Sequence, residues 1–546
     1  MRRAFILAAI VCFVAIGIRL IPLANSSLPY NIDGFSIVSI AERTQASGFL
    51  TPVADDPNLP NYNVPLFSVL LTALSDVVGV EPLVLAQLMM PILSLPAFLA
   101  TFAIMRRITK NDAAASAAAL FLALEGMFVF FTATVVKASM AFALIPLILY
   151  LYWERANKYK RLLAAFLLVV LPLVHHLSAL IVFMMVSLIL FNDLLKWWKQ
   201  GSLTSRIFAR EIILGPALFI PGMLHYDLVN LLYLREVDDP RQILLFLSVF
   251  FVFALIYRSL VLPSRSGTRF ETRKAKRWRL IFDNKLVYPV GAVVLLLVNY
   301  QSNIFAGTEK TSAALLETLV PYVLLVMICL VGFNLFRHFR NQHRPFVMAL
   351  IIAPFSVMVF AFLRGLDPLS FLIMYRSYPY LAFGIALCAG LGVAFIISLI
   401  RNRGVKAAIV SGFIALLLLS LPLGYGSERV FGVENSTAEY EFRAMVHLNS
   451  LGPSYVGSDQ RIGDVLRSYF YLDVNKFFPE LIAHDKPINT CDFVLILDGW
   501  TTQGAQMYPL PNLAIDSERM VRLQEDNDVI YSVVSPVGGA VILRTR

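Results

Sequence analysis

The sequence predicts a polytopic α-helical membrane protein of about thirteen spans with its N-terminus inside, followed by an extracytoplasmic α/β domain. Three observations predict it. Hydrophobic residues make up 58% of the 546 and charged residues only 15%, far more apolar length than a soluble core needs. Basic residues gather in short clusters between the apolar runs, such as "MRRITK" at 105–110, "ERANKYKR" at 154–161 and "RSGTRFETRKAKRWR" at 265–279. From about residue 426 onward the pattern changes, with charges every few residues and no apolar run long enough to span.

The first element, "MRRAFILAAIVCFVAIGIRLIPLA", has the basic start of a signal peptide, but its apolar run approaches the roughly 20 residues that cross a bilayer. Without a clear small-x-small cleavage site, it reads as a retained first span. Further spans are predicted near 84–105, 112–133, 137–153, 161–175, 177–193, 210–231, 241–260, 286–304, 316–336, 345–363, 379–400 and 406–424. The basic clusters then all fall inside. The outer connections hold the acids Asp33, Asp55, Asp56, Glu236, Asp238, Asp239, Glu309 and Asp367, and the triplets "NSS" at Asn25 and "NST" at Asn435 also fall outside. The division is 1–425 for the membrane domain, with a first outer loop at 24–83, and 426–546 for the external domain.

In the external domain, β-rich runs at 454–459, 492–498, 528–534 and 540–545 alternate with helical patterns at 440–450 and 460–470. It contains no nucleophile elbow, phosphate loop or metal-ligand spacing, and reads as a folded lid or accessory domain. Cys12, Cys329 and Cys388 lie in apolar runs and Cys491 stands alone in the tail, so no disulfide or cysteine-ligated zinc is expected. The net charge of +10 is spent on the inner clusters, which argues against a nucleic-acid partner.

The first outer loop is more than a linker. "YNIDGFSIVSIAERTQASG" at 30–48 suggests a helix lying in the interface with Asp33 at its start, where a carboxylate caps a helix. A second apolar piece, "NYNVPLFSVLLTALSDVVGV" at 61–80, follows.

An Asp in the first outer loop, "YNVPL" at Tyr62–Leu66 and the following "LLTALSDVVGV" resemble the GT-C superfamily of integral-membrane glycosyltransferases, of prokaryotic and archaeal type. "VKASMAFALIPLILYLYWERANKYKRLLAAFLLVVLPLVHHLSALI" is similar to that superfamily's third-to-sixth span region, and "MYRSYPYLAFGIALCAG" to its late Arg-containing segment. The resemblance implies an inverting hexosyltransferase of the cell envelope. Its donor would be a polyprenyl- or dolichyl-phosphate sugar, taken at the outer face, and its acceptor a glycan, lipid or protein, as in protein glycosylation.

The chemistry asks for the same residue types. A phosphate leaving group makes a general acid dispensable, while the acceptor hydroxyl needs a base and the departing phosphate needs cations. Asp33 is the candidate catalytic base; Lys137, Arg364 and Arg376 are candidate donor-phosphate partners, each equally readable as a snorkelling or topology-fixing cation. His175 and His176 end an apolar run, where a His is often a hydrogen-bonded boundary residue, but one of the two is a candidate for phosphate or sugar hydroxyls. Adjacent His residues do not form a metal pair on one helical face. Asp55 and Asp56 either position the acceptor or, with Asp33, hold a divalent cation; "DDPN" is also an ordinary turn. Glu309 and Lys310 read as an outer loop above the site.

One departure is clear. The Trp-Trp-Asp-Tyr-Gly element of the superfamily's oligosaccharyltransferases has no counterpart beyond "ILDGWTTQG" at 496–504, which favours monosaccharide over en bloc transfer. The competing reading is a transporter or flippase of lipid-linked or small solutes. It asks for repeated halves and broken helices with polar groups at the midplane, whereas the charges here are expected at span ends.

Overall fold

A computed structural model describes residues 2–50, 58, 62, 64–222, 240–261, 294, 297, 298, 300–302, 313–338, 343–365, 368–426, 436–487, 490–507 and 512–546. The helices used below are, in chain order, α1 (Arg2–Arg19), α2 (Ile32–Ser47), α3 (Leu66–Val78), α4 (Pro82–Leu93), α5 (Leu95–Thr109), α6 (Asp112–Leu124) and α7 (Gly126–Ala133). They continue with α8 (Lys137–Trp153), α9 (Lys158–Val174), α10 (His176–Lys199), α11 (Ser205–Ile213), α12 (Pro240–Val261), α13 (Ala313–His338), α14 (Arg344–Arg364), α15 (Pro368–Leu399) and α16 (Arg403–Leu418). The tail adds α17 (Glu439–Ser450), β1 (Val456–Gly457), α18 (Gln460–Ser468), β2 (Val474–Asn475), α19 (Phe478–Ala483), β3 (Phe493–Leu497), α20 (Ser517–Glu525), β4 (Asp528–Ser535) and β5 (Gly538–Arg544).

Among the described residues, six helices are long and apolar enough to cross a membrane, or seven if the bent pair α6 and α7 is one span. That is fewer than the expected thirteen, for two reasons. Several expected spans, such as 137–153 and 316–336, are shorter apolar helices. The expected span at 286–304 lies largely outside the described residues, and so does the second half of the one at 210–231, whose first half holds the end of the short amphipathic α11 and a 3-10 turn at Pro216–Phe219. Most predicted spans nevertheless coincide with a helix to within a few residues.

The chain forms two compact units. The first takes Met1–Arg19, Pro91–Thr132 and Ala138–Gly426. Its centre is α15, a helix of 32 residues packed by α6, α13 and α14. Small residues allow the backbones to meet: a Cβ on Gly390 would stand 2.5 Å from the Ala114 carbonyl oxygen, and one on Gly332 only 1.8 Å from that of Cys388. Close backbone approach of this kind replaces the hydrophobic driving force that lipid-immersed helices lack.

The span expected as one helix at 112–133 is broken. α6 ends before Glu125, α7 starts after it, and their axes differ by 63°. A break in apolar surroundings leaves carbonyls unpaired on one side and N–H groups on the other, each costly without a partner. Both sides are satisfied by charged side chains. The Glu125 carboxylate accepts from the Met127 and Phe128 N–H groups at 3.2 and 2.8 Å. The fully buried Arg19, at the end of α1, donates to the Ala123 and Leu122 carbonyls at 3.1 and 3.5 Å and to Thr132 Oγ1 at 2.6 Å. Charges thus occur inside apolar runs as well as at span ends, which corrects the sequence expectation.

The second unit takes Leu20–Met90, Ala133–Lys137 and Ser427–Arg546. Its five-stranded sheet has the order β2-β1-β3-β5-β4, parallel through β2, β1 and β3 and antiparallel from β3 through β5 to β4. The predicted tail strands and both predicted helices are present; β2, α19 and α20 were not expected, being too short or too polar to show a clear period. The core combines Val456, Val494, Ile496, Trp500 and Ile542 of the tail with Leu28 and Phe35 of the first outer segment. The first unit ends at Gly426, and the segment 20–90 packs with the tail. α2 is therefore no surface helix: Gly34 through Ala41 are all buried, because the Phe35 ring stacks on Phe442 at 5.7 Å and meets Tyr469 at 5.8 Å.

Candidate functional site

In the second unit the site begins at the N-terminus of α2. Asn31, not Asp33, is the cap, its Oδ1 accepting the Asp33 N–H at 2.8 Å. Asp33 lies in the first turn with an exposed side chain. The carboxylate is thus released from capping and still sits where the helix dipole favours a negative charge.

Gly34 explains the Asp-Gly pair. A Cβ there would stand 2.6 Å from Pro29 Cβ, 3.0 Å from Val135 Cβ and 3.1 Å from the Val135 carbonyl oxygen. The segment 133–137 therefore lies directly on the first turn of α2. Gln87, fully buried on α4, ties it down by accepting the Tyr30 N–H and donating to the Ala133 carbonyl, each at 2.9 Å. Lys137 follows Val135 by two residues and opens α8, so two of the sequence candidates, Asp33 and Lys137, stand on adjoining segments.

The tail domain packs α18 against α2. Asp464 of α18 is bound by Lys476 and Gln460. Burial pushes its carboxyl above the usual range, Lys476 pulls the other way, and the Asp33 carboxylate adds to the rise. Farther along α2, the Tyr469 hydroxyl donates to Glu42 at 3.1 Å. The Tyr471 hydroxyl meets Ser39 Oγ at 2.5 Å, and the Arg43 guanidinium stacks over the Tyr471 ring at 3.6 Å. Tyr471 holds this pose at a φ of 61°, a strained value for a residue with a side chain.

In the first unit, His175 closes α9 and caps α10. Its Nδ1 accepts the Ser178 N–H at 3.3 Å, and Ser178 Oγ lies 2.6 Å from the Tyr380 hydroxyl. The boundary role considered from sequence thus holds for His175, which is buried, while half-buried His176 opens α10 with its ring 5.0 Å from that of His175. Arg376 stands one turn before Tyr380 on α15, so the His pair and Arg376 belong to one neighbourhood. Arg364 ends α14, where a cation suits the carbonyl end of the helix. Asp55, Asp56, Glu309, Lys310 and Asp367 lie outside the described residues. Among the described residues no three His, Cys, Asp or Glu side chains group as metal ligands would.

Sequence reasoning missed Arg19, Glu125, Asp464 and Lys476. Arg19 and Glu125 carried a readable signal as single charges inside apolar runs. The Asp464 and Lys476 pair carried none, since its place beside α2 depends on how the tail folds. The one Trp of "ILDGWTTQG", Trp500, is a core residue whose Nε1 donates to Asp459 at 3.0 Å.

No family model and no curated protein sequence matches the chain. Solved structures do. The archaeal oligosaccharyltransferase AglB from Archaeoglobus fulgidus, in complex with an inhibitory peptide and a dolichol-phosphate, shares 11% identity at a TM-score of 0.49, covering 100% of this chain and 74% of its own. ArnT from Cupriavidus metallidurans shares 12% identity at a TM-score of 0.45 in the apo state, and 13% at 0.39 bound to undecaprenyl phosphate, with 98% and 99% of this chain and 97% of ArnT covered. Both are GT-C glycosyltransferases, the superfamily that the sequence resembles.

Proposed function

We propose that the protein is a membrane glycosyltransferase that moves a sugar from a polyprenyl- or dolichyl-phosphate carrier to an acceptor at the outer membrane face, with inversion. The observation that carries this reading is Asp33: an exposed carboxylate relieved of capping by Asn31, with the segment bearing Lys137 on its own helical turn. In the reaction Asp33 takes the proton of the acceptor hydroxyl as its oxygen bonds to the anomeric carbon. The bond from that carbon to the phosphate oxygen breaks on the opposite face, and its electron pair leaves with the carrier phosphate. Lys137, His175 or His176, Arg364 and Arg376 are the proposed phosphate partners, stabilising the charge that develops there. Asp55 and Asp56 remain proposed for acceptor binding or a divalent cation. The α/β unit is proposed to lie outside the membrane.

The broken span α6 and α7 favours the second reading, a transporter, because interrupted helices commonly present their ends to solutes. Here those ends are occupied by Glu125 and Arg19 of the chain itself, which leaves the glycosyltransferase reading the stronger. Purified protein with a panel of radiolabelled polyprenyl-phosphate sugars decides between them. Covalent transfer by the wild type, lost in a folded Asp33→Asn variant, is expected. Movement of a solute in proteoliposomes with no turnover of any donor would overturn the reading.

A further inference from the structure

Among the described residues, Glu125 is the most heavily engaged acid of the first unit, and neither the base nor the phosphate cations account for it. Fully buried at the break between α6 and α7, it accepts two N–H groups of α7, the Tyr322 hydroxyl from α13 and, at 3.2 Å, the Tyr378 hydroxyl from α15. Gly126 beside it packs so closely on Ser420 that a Cβ would stand 1.8 Å from the Ser420 carbonyl oxygen, so the carboxylate has a fixed origin. Arg19 holds the other side of the break.

One bond of Glu125 and one ring of the helix it starts both reach a single turn of α15. Tyr378 follows Arg376 by two residues and is bound by Glu125 directly. Tyr375 precedes Arg376 by one, and its ring lies 5.2 Å from that of Phe131 on α7, the helix that Glu125 starts. Tyr380 anchors the next turn through Ser178. Arg side chains carry large rotamer freedom, and a bidentate phosphate contact is strong only if the backbone beneath it is held.

We propose that Glu125 is a positioning residue for Arg376: by starting α7 and accepting the Tyr378 hydroxyl, it fixes the α15 turn that presents Arg376 to the phosphate of the donor. The proposal rests on the reading of Arg376 as a phosphate partner. It gives the carboxylate at the break two tasks, since the same group that caps α7 accepts the Tyr378 hydroxyl.

The test is equilibrium binding of undecaprenyl phosphate to the purified full-length protein, with the wild type and Arg376→Ala, Glu125→Gln and Tyr378→Phe variants and the two double variants that include Arg376→Ala. Arg376→Ala is expected to weaken binding about tenfold or more, and Glu125→Gln and Tyr378→Phe each about three- to tenfold. In the Arg376→Ala background each should then cost less than about twofold, because coupled residues are not additive. With a sugar-bearing donor, KM should rise more than kcat falls, which a general loss of folding would not produce. Tyr378→Phe deletes one hydroxyl and keeps the test alive if Glu125→Gln does not fold. Undiminished affinity in folded Tyr378→Phe, or full additivity with Arg376→Ala, overturns the proposal. Unchanged affinity in Arg376→Ala itself refutes the phosphate role of Arg376, and the positioning role falls with it.

Discussion

Asp33 and Glu42 stand on one helix in opposite circumstances. Asp33 is exposed at the start of α2, and as the proposed base it predicts that Asp33→Asn lowers the transfer rate by about 10²- to 10⁴-fold with a small change in donor affinity, read by steady-state kinetics. Burial lifts the Glu42 carboxyl above its ordinary value, the Tyr469 hydroxyl opposing this and Glu81 adding to it. The folded protein therefore holds that proton more tightly than the unfolded chain does. Its stabilising contribution is complete below the unfolded carboxyl value and is lost as pH rises through the raised folded one. Glu42→Gln keeps the neutral shape and still accepts from Tyr469. It should raise the melting temperature at pH 7.5 and leave it nearly unchanged at pH 4, as followed by thermal unfolding in detergent. A rise of equal size at both pH values would mean that the carboxyl is not titrating in this window.

At the scale of elements, the first turn of α2 and the segment 133–137 work as one part, because Gly34 lets their backbones touch. Gly34→Ala should cost about 1–3 kcal/mol through overpacking and lower transfer even though neither Asp33 nor Lys137 is altered. Thermal unfolding and the transfer assay on the same preparation check both halves. In the tail, Arg461 and Glu441 form a buried two-bond pair at 2.6 and 2.8 Å, and Glu441 also accepts the Ala438 N–H at 2.8 Å. Glu441→Ala takes the carboxylate partner from the buried Arg461 guanidinium, which keeps the Ser436 carbonyl, and should cost about 3–5 kcal/mol, read by urea unfolding. Elements of this kind differ in how legible they were. The helices of α8, α10 and α14 followed from apolar length alone, and the tail strands from their β-rich composition. The break at Glu125 was marked only by the Glu125-Gly126 pair, since the residues on either side are as apolar as in an unbroken span. Capping by Asn31 rather than Asp33 was hidden because both residue types cap equally well, and only the backbone angle at Asn31 decides.

Across the whole molecule, the candidate residues divide between the two units, Asp33 and Lys137 in one and the His pair, Arg364 and Arg376 in the other. Residue types at helix ends were readable one at a time, but the assignment of the first outer segment to the tail's core was not, since nothing in a local pattern reports a partner more than 400 positions away, such as Ser39 and Tyr471 at a separation of 432. The tail therefore shares its core with the segment that carries α2. Removing 427–546 would strip Phe35 and Leu28 of their core, and it should abolish transfer and open the segment around α2 to limited proteolysis.

That shared core has a consequence for biosynthesis. Phe35 leaves the ribosome more than 400 residues ahead of its partners Phe442 and Tyr469. While that intervening chain is made, α2 has no native surface to settle on, and its apolar face must wait at the membrane or on a chaperone. The helix that carries the proposed base is packed only once the tail has been made, so a polypeptide ended before Phe442 holds Asp33 on an unpacked helix.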